Sequence, residues 1–116
     1  ETMMAGLSCG EISLIAWDIL STGANDFVIL PDDLVSPAMH LLADGTGGDT
    51  PIVAGESAVA GLAAVLACEN DPALTKAFGL GSDSSVLIFG SEGASDPVLY
   101  QEIVGQNPEN VRTLAG

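Results

Sequence analysis

The sequence is short of positive charge before anything else. Of 116 residues only Lys76 and Arg112 are basic, against sixteen acids, for a formal net charge of −14. Two cations cannot neutralise a phosphate backbone or hold an anionic bilayer, so nucleic acid and membrane are excluded as partners. Cysteine is nearly absent. Cys9 and Cys68 are too few for a disulfide framework and lack metal-site spacing, so both read as single buried thiols in a reducing compartment. The one histidine, His40, has no second histidine to build a zinc site and no nucleophile for a triad, so no metal is implied. It reads as a partly buried helix residue. Long hydrophobic runs are missing too. The longest uncharged stretch lies between Glu56 and Glu69, too short and too rich in Ala and Gly to span a bilayer. No basic leader opens the chain. The expectation is a cytoplasmic protein.

What is present is a hydrophobic share of 47% against 16% charged, which excludes a disordered acidic tail. The length suits one domain with a radius of gyration of about 13 Å. The acids are scattered, only Asp32 and Asp33 being adjacent, and read as a solvated surface. So acidic a chain, so poor in aromatics, also reads as a piece of something larger.

Apolar residues Ile12, Ile15, Ala16, Ile19 and Leu20 recur at helical spacing, predicting a helix over 11–22 that Gly23 stops. The run Phe27-Val28-Ile29-Leu30 reads as a buried strand. Asp32 or Asp33 then caps a helix reaching Ala43, with Pro37 in its first turns. A Gly-rich loop leads to Ile52-Val53-Ala54, a brief strand or extended lead-in. A helix from Ser57 to Cys68 follows, small and apolar all round. A short helix near Pro72 to Phe78 precedes Val86-Leu87-Ile88-Phe89, the clearest strand signal. Ser95 or Asp96, with Pro97 next, starts a last helix through Val104. Beyond Gly105 the chain reads as a polar, frayed end.

Strands alternating with helices predict an α/β fold, a parallel sheet with flanking helices in three layers over residues 1–105, followed by a tail over 106–116. Ligands of such sheets bind where strands end and helices begin. Two turns fit that place, Gly55-Glu56-Ser57 and Gly90-Ser91-Glu92-Gly93. Glycines let a ligand approach the backbone, while Glu92 and Asp96 disfavour a bare phosphate. From the residues alone each turn is either a structural turn or a ligand contact, and Glu56 either caps a helix or meets a ligand.

Three stretches carry a resemblance. They are Met3-Met4-Ala5-Gly6-Leu7-Ser8-Cys9-Gly10-Glu11 with Ala16-Trp17-Asp18-Ile19-Leu20; Ile52-Val53-Ala54-Gly55-Glu56-Ser57 with Gly61-Leu62; and Val86 through Asp96 with Tyr100-Gln101-Glu102. Together they resemble the C-terminal part of diaminopropionate ammonia-lyases, pyridoxal-phosphate enzymes of fold type II with a tryptophan-synthase-β-like architecture. The resemblance implies an enzyme that eliminates ammonia from 2,3-diaminopropionate, giving pyruvate and a second ammonia. It implies cofactor contacts at Gly90, Ser91, Glu92, Gly93, Gly55, Glu56 and Ser57, with the Ser91 hydroxyl, one residue beyond the family's position, on the pyridine nitrogen. A neutral partner there leaves the ring unprotonated, which suits β-elimination.

Pyridoxal phosphate also needs a lysine to hold it. Lys76 is the only one and lies far along the chain from both turns. The resemblance therefore implies an inactive fragment with no catalytic residue of its own. A missing N-terminal part would supply the lysine, the acid–base groups and the phosphate cup. Its partners would be a small amino-acid substrate and, in the parent, a second subunit in a homodimer. The alternatives are a fragment of another fold-type-II enzyme, threonine synthase or serine/threonine dehydratase, or a non-catalytic α/β binding module.

Overall fold

The computed structural model describes all 116 residues and contains helices joined by irregular segments, without a single strand. The α/β expectation of a three-layer parallel sheet is overturned. The reason lies in the backbone. A strand exists only when a neighbour pairs its N–H and C=O groups, and neither 27–30 nor 86–89 makes any backbone–backbone hydrogen bond. Phe27 lies beside Trp17, with ring centroids 6.0 Å apart. Ile88 lies against Gly61, where an added Cβ would come within 2.8 Å of its Cγ2. Each apolar run thus meets a helix instead of another run. The third run, 52–54, is tied to a helix end, the Ile52 N–H donating to the Leu42 carbonyl at 2.8 Å.

Six α-helices follow in order: α1 Leu14–Gly23, α2 Val35–Ala43, α3 Ala60–Glu69, α4 Pro72–Ala77, α5 Pro97–Val104 and α6 Pro108–Leu114. Their ends show why they form where they do. Ser13 caps α1, its Oγ accepting from the Ala16 N–H, and α1 runs through Gly23 instead of stopping before it. Asp96 Oδ1 accepts from the N–H groups of Val98 and Leu99, with Pro97 at the first helical position and Gly105 left-handed at the end. Such a cap stabilises a helix by about 1 kcal/mol. Asp32 does not cap α2. It sits in a 3₁₀ turn over Asp32–Leu34 that leads into the helix, and its carboxylate turns back to the chain start. The frayed end expected beyond Gly105 is instead α6, capped by Asn107 and carrying Pro108 and Val111 into the core.

α2 lies at the centre, packed against α3 and α5, with α4 on α3 and α6 on α5. Val35, Ala38, Met39 and Ala43 from α2 meet Val59, Ala63, Tyr100, Val104 and Val111 in one apolar cluster, which Met4, Ala54 and Ala58 complete. The His40 ring completes the α2–α5 contact, its Nε2 3.0 Å from the Ile103 carbonyl. Thr75 Oγ donates to the Cys68 carbonyl at 2.7 Å and joins α3 to α4. Cys68 is buried, whereas Cys9 is exposed, contrary to the expectation of two buried thiols.

This core is small for the chain. The radius of gyration is 15.2 Å, above the ~13 Å of a compact domain of this length. The accessible surface is 7850 Å², against about 5,900 Å² for a compact monomer of this mass. Many large apolar side chains lie on that surface. No residue of α1 is buried, and Leu14, Ile15, Ile19, Phe27, Ile29, Leu87 and Phe89 all face outward. No helix is long and apolar enough to cross a membrane.

Candidate functional site

The three stretches that carry the resemblance meet in space: Glu92 joins the third to the second, and Ser57 joins the second to the first. The backbone carbonyl of Glu92 accepts the Gly55 N–H at 3.1 Å. Its Oε2 accepts the Ser57 N–H at 3.0 Å. Its Oε1 accepts the Ser95 hydroxyl at 2.7 Å. From the other side the Gly6 N–H donates to Ser57 Oγ at 2.9 Å. Residues 6, 57 and 92 are thereby held in one cluster although they are far apart in sequence. Gly6 lies in a 3₁₀ turn over Ala5–Leu7, and Glu56 opens another over Glu56–Ala58.

The contact needs glycine at position 55. A Cβ there would lie 2.3 Å from the Gly93 carbonyl oxygen and 2.8 Å from Glu92 Oε2. At Gly90 and Gly93, by contrast, a Cβ would meet nothing within 4 Å, so the second turn presents bare backbone to its surroundings. Ser91 is exposed and enters none of these hydrogen bonds.

Glu56 differs from the other acids. It is 8% exposed, and Ser57 beside it 7%. The Glu56 carboxylate receives no hydrogen bond from the chain, whose single salt bridge joins Arg112 to Glu109. Its oxygens keep some contact with solvent, since Tyr100 Oη is the one enclosed side-chain oxygen without a partner.

The structure thus brings the Gly55-Glu56-Ser57 turn into direct contact with the Gly90–Gly93 turn. The contact forms without the sheet edge on which it was expected, and five depressions of the surface are lined by neither Ser91 nor Glu56. Ser95, whose hydroxyl reads either as a helix cap or as a polar group of the second turn, engages Glu92 and leaves the capping to Asp96. Gly6 gave no signal beyond its place in the first stretch. Lys76 is exposed in the last turn of α4.

The unit defined so far is a small helical cluster in which two glycine-bearing turns are locked together around a buried acid. No family model matches the chain. Its sequence is, however, similar along nearly all its length to diaminopropionate ammonia-lyases. It is 34% identical to that of Escherichia coli (strain K12) over 113 residues, 95% of this chain and 28% of the relative. The same values hold for the enzyme of Escherichia coli O157:H7. With that of Salmonella typhimurium (strain LT2) it shares 33% over 107 residues, covering 89% of this chain and 26% of the relative. The likeness carried by the three stretches therefore extends over 95% of the chain, which spans little more than a quarter of the length of these relatives.

Proposed function

We propose that the chain is the C-terminal part of a cytoplasmic ammonia-lyase acting on 2,3-diaminopropionate, and that it forms one wall of a pyridoxal-phosphate site. The observation that supports this most is that the three stretches of likeness, distant in sequence, converge on the Gly6, Ser57 and Glu92 contacts.

The residues present suit one wall of such a site. Gly90 and Gly93 leave the backbone open to a flat ring. The exposed Ser91 hydroxyl is the group that would meet the ring nitrogen. The Glu56 carboxylate, without a donor in the chain, offers an acceptor to a ligand donor. Bound pyridoxal phosphate supplies an electron sink that lets a proton leave the α-carbon of an amino acid and an amino group leave the β-carbon. This chain's part is to position. A hydroxyl facing the ring nitrogen would hold that nitrogen without giving it a full proton, and the tethered backbone of residues 55–57 would fix where the Glu56 side chain sits. The lysine and the groups that move protons would come from the rest of the enzyme, since Lys76 stands in solvent on α4. The rest would also cover the apolar surface of α1, and a second subunit would complete a homodimer.

Incubation of the full-length protein that carries this chain with pyridoxal phosphate and 2,3-diaminopropionate tests the reading. Pyruvate and ammonia should form, while the 116-residue chain alone should give none above the free-cofactor background. Turnover of serine or threonine in place of diaminopropionate would overturn the substrate. Turnover by the isolated chain would overturn the need for an upstream lysine.

A further inference from the structure

We propose that Glu92 is a positioning residue, not a cofactor contact, and that it sets the Glu56 carboxylate through the two amides on either side of it. Glu92 uses all three of its oxygen atoms within the protein. Its carbonyl takes the Gly55 N–H and its carboxylate takes the Ser57 N–H and the Ser95 hydroxyl, at 3.1, 3.0 and 2.7 Å. Residue 56 is therefore held from both neighbours by one residue 36 positions later in the chain. The Gly6 N–H on Ser57 Oγ pins the same turn from behind.

The two acids have opposite surroundings. Glu92 is half-buried and its charge is met by two donors, one a backbone amide, which makes these bonds stronger than neutral ones. Glu56 is 8% exposed and has no donor in the chain. A 3₁₀ turn this short does not fix its own backbone, so the tethers at Gly55 and Ser57 set where the Glu56 side chain leaves the chain. The Glu56 oxygens keep an edge at the surface, as an acceptor open to a ligand donor, and Glu92 is the residue that places them.

This inference rests on the proposed lyase reading for its catalytic readout, and the test separates the two. In the full-length protein loaded with pyridoxal phosphate, Glu92→Ala removes the acceptor for the Ser57 N–H, and Glu92→Gln retains one. Hydrogen exchange at the Ser57 amide should quicken about tenfold or more in Glu92→Ala, as expected for loss of a bond to a charged acceptor. It should stay near wild type in Glu92→Gln. The absorption spectrum of the bound cofactor should shift, and kcat on diaminopropionate should fall about tenfold with little change in KM, as for loss of an interaction made in the transition state. Glu92→Gln should recover most of both. Unchanged exchange at Ser57 in Glu92→Ala overturns the tether. Faster exchange with an unchanged spectrum and kcat overturns the positioning role while leaving the lyase reading intact. A wild-type protein that takes up no cofactor overturns the lyase reading alone, since the exchange measurement still decides the tether. If Glu92→Ala does not fold, Ser95→Ala serves. It removes only the donor to Oε1 and should quicken Ser57 exchange to a smaller degree; no change there also overturns the tether.

Discussion

The Ser57 N–H donates to Oε2 of Glu92 across 3.0 Å, joining residues 35 positions apart. Ser57 is buried in the turn that leads into α3, while Glu92 lies in a loop with open glycines on both sides. The bond holds the turn that carries the largely buried Glu56 against the turn that carries the open glycines Gly90 and Gly93.

The closeness of that contact makes Gly55→Ala disruptive. The backbone at Gly55, φ −76° and ψ 171°, is one that alanine adopts freely, so conformation costs nothing. The added methyl group would lie 2.3 Å from a backbone oxygen that cannot move aside alone. A loss of about 1–3 kcal/mol is expected, as for other overpacked sites, measured by thermal or urea unfolding. Gly90→Ala, with open space around it, should change stability by less than about 0.5 kcal/mol.

Tyr100 is 1% exposed, and its hydroxyl finds no hydrogen-bond partner in the protein. Burial pushes its ionisation upward; Asp44 adds to this and Arg112 opposes it. Tyr100→Phe should therefore be neutral or stabilising by about 1 kcal/mol at neutral pH, because removing an unsatisfied buried polar group relieves a penalty. With the folded value raised, stability is full below the ordinary tyrosine value near 10 and is lost as pH rises through the folded value. Alkaline unfolding curves should show that loss in the wild type and a smaller one in Tyr100→Phe.

Asp32 anchors the start of the chain. Its carboxylate accepts the Thr2 hydroxyl and the Met3 N–H, and these bonds, the hydroxyl first, hold it below the usual carboxylate range. The stability it gives is present above about pH 4 and lost as pH falls through the lowered value. Proteolysis or amide exchange at residues 2–4 should rise on acidification. Asp32→Asn should raise it at neutral pH.

Ile29 is 98% exposed and Phe89 82%. Replacing Ile29 with Lys should leave the unfolding midpoint of the isolated chain within about 0.5 kcal/mol, since nothing packed is lost. The isolated chain should also bind a hydrophobic dye or self-associate in light scattering, as an apolar surface of this extent implies. Ile29→Lys and Phe89→Lys together should reduce both.

Much of the helical layout was legible because its signals are local. The stripe ending at Leu20, the Asp96–Pro97 start and the Pro72 start each act within one turn of chain. α6 was missed because only three of its seven residues, Pro108, Val111 and Leu114, are apolar, and what holds it is the burial of Pro108 and Val111 against a core that the tail does not contain. The strands were read from apolar runs at 27–30 and 86–89, but an apolar run states only that a segment is hydrophobic. Whether it becomes a strand depends on a partner backbone, which lies outside the segment, and here α1 and α3 are the neighbours instead.

The same division applies to the site. By itself the sequence determined a chain with only two basic residues, two glycine-bearing turns at 55–57 and 90–93, and a likeness to diaminopropionate ammonia-lyases. Only the tertiary structure decided that the two turns touch and that Glu92 holds them while Glu56 stays unpaired. A carboxylate's neighbours are set by packing between segments dozens of residues apart, and a linear pattern carries charge and spacing but not the donor that each oxygen meets.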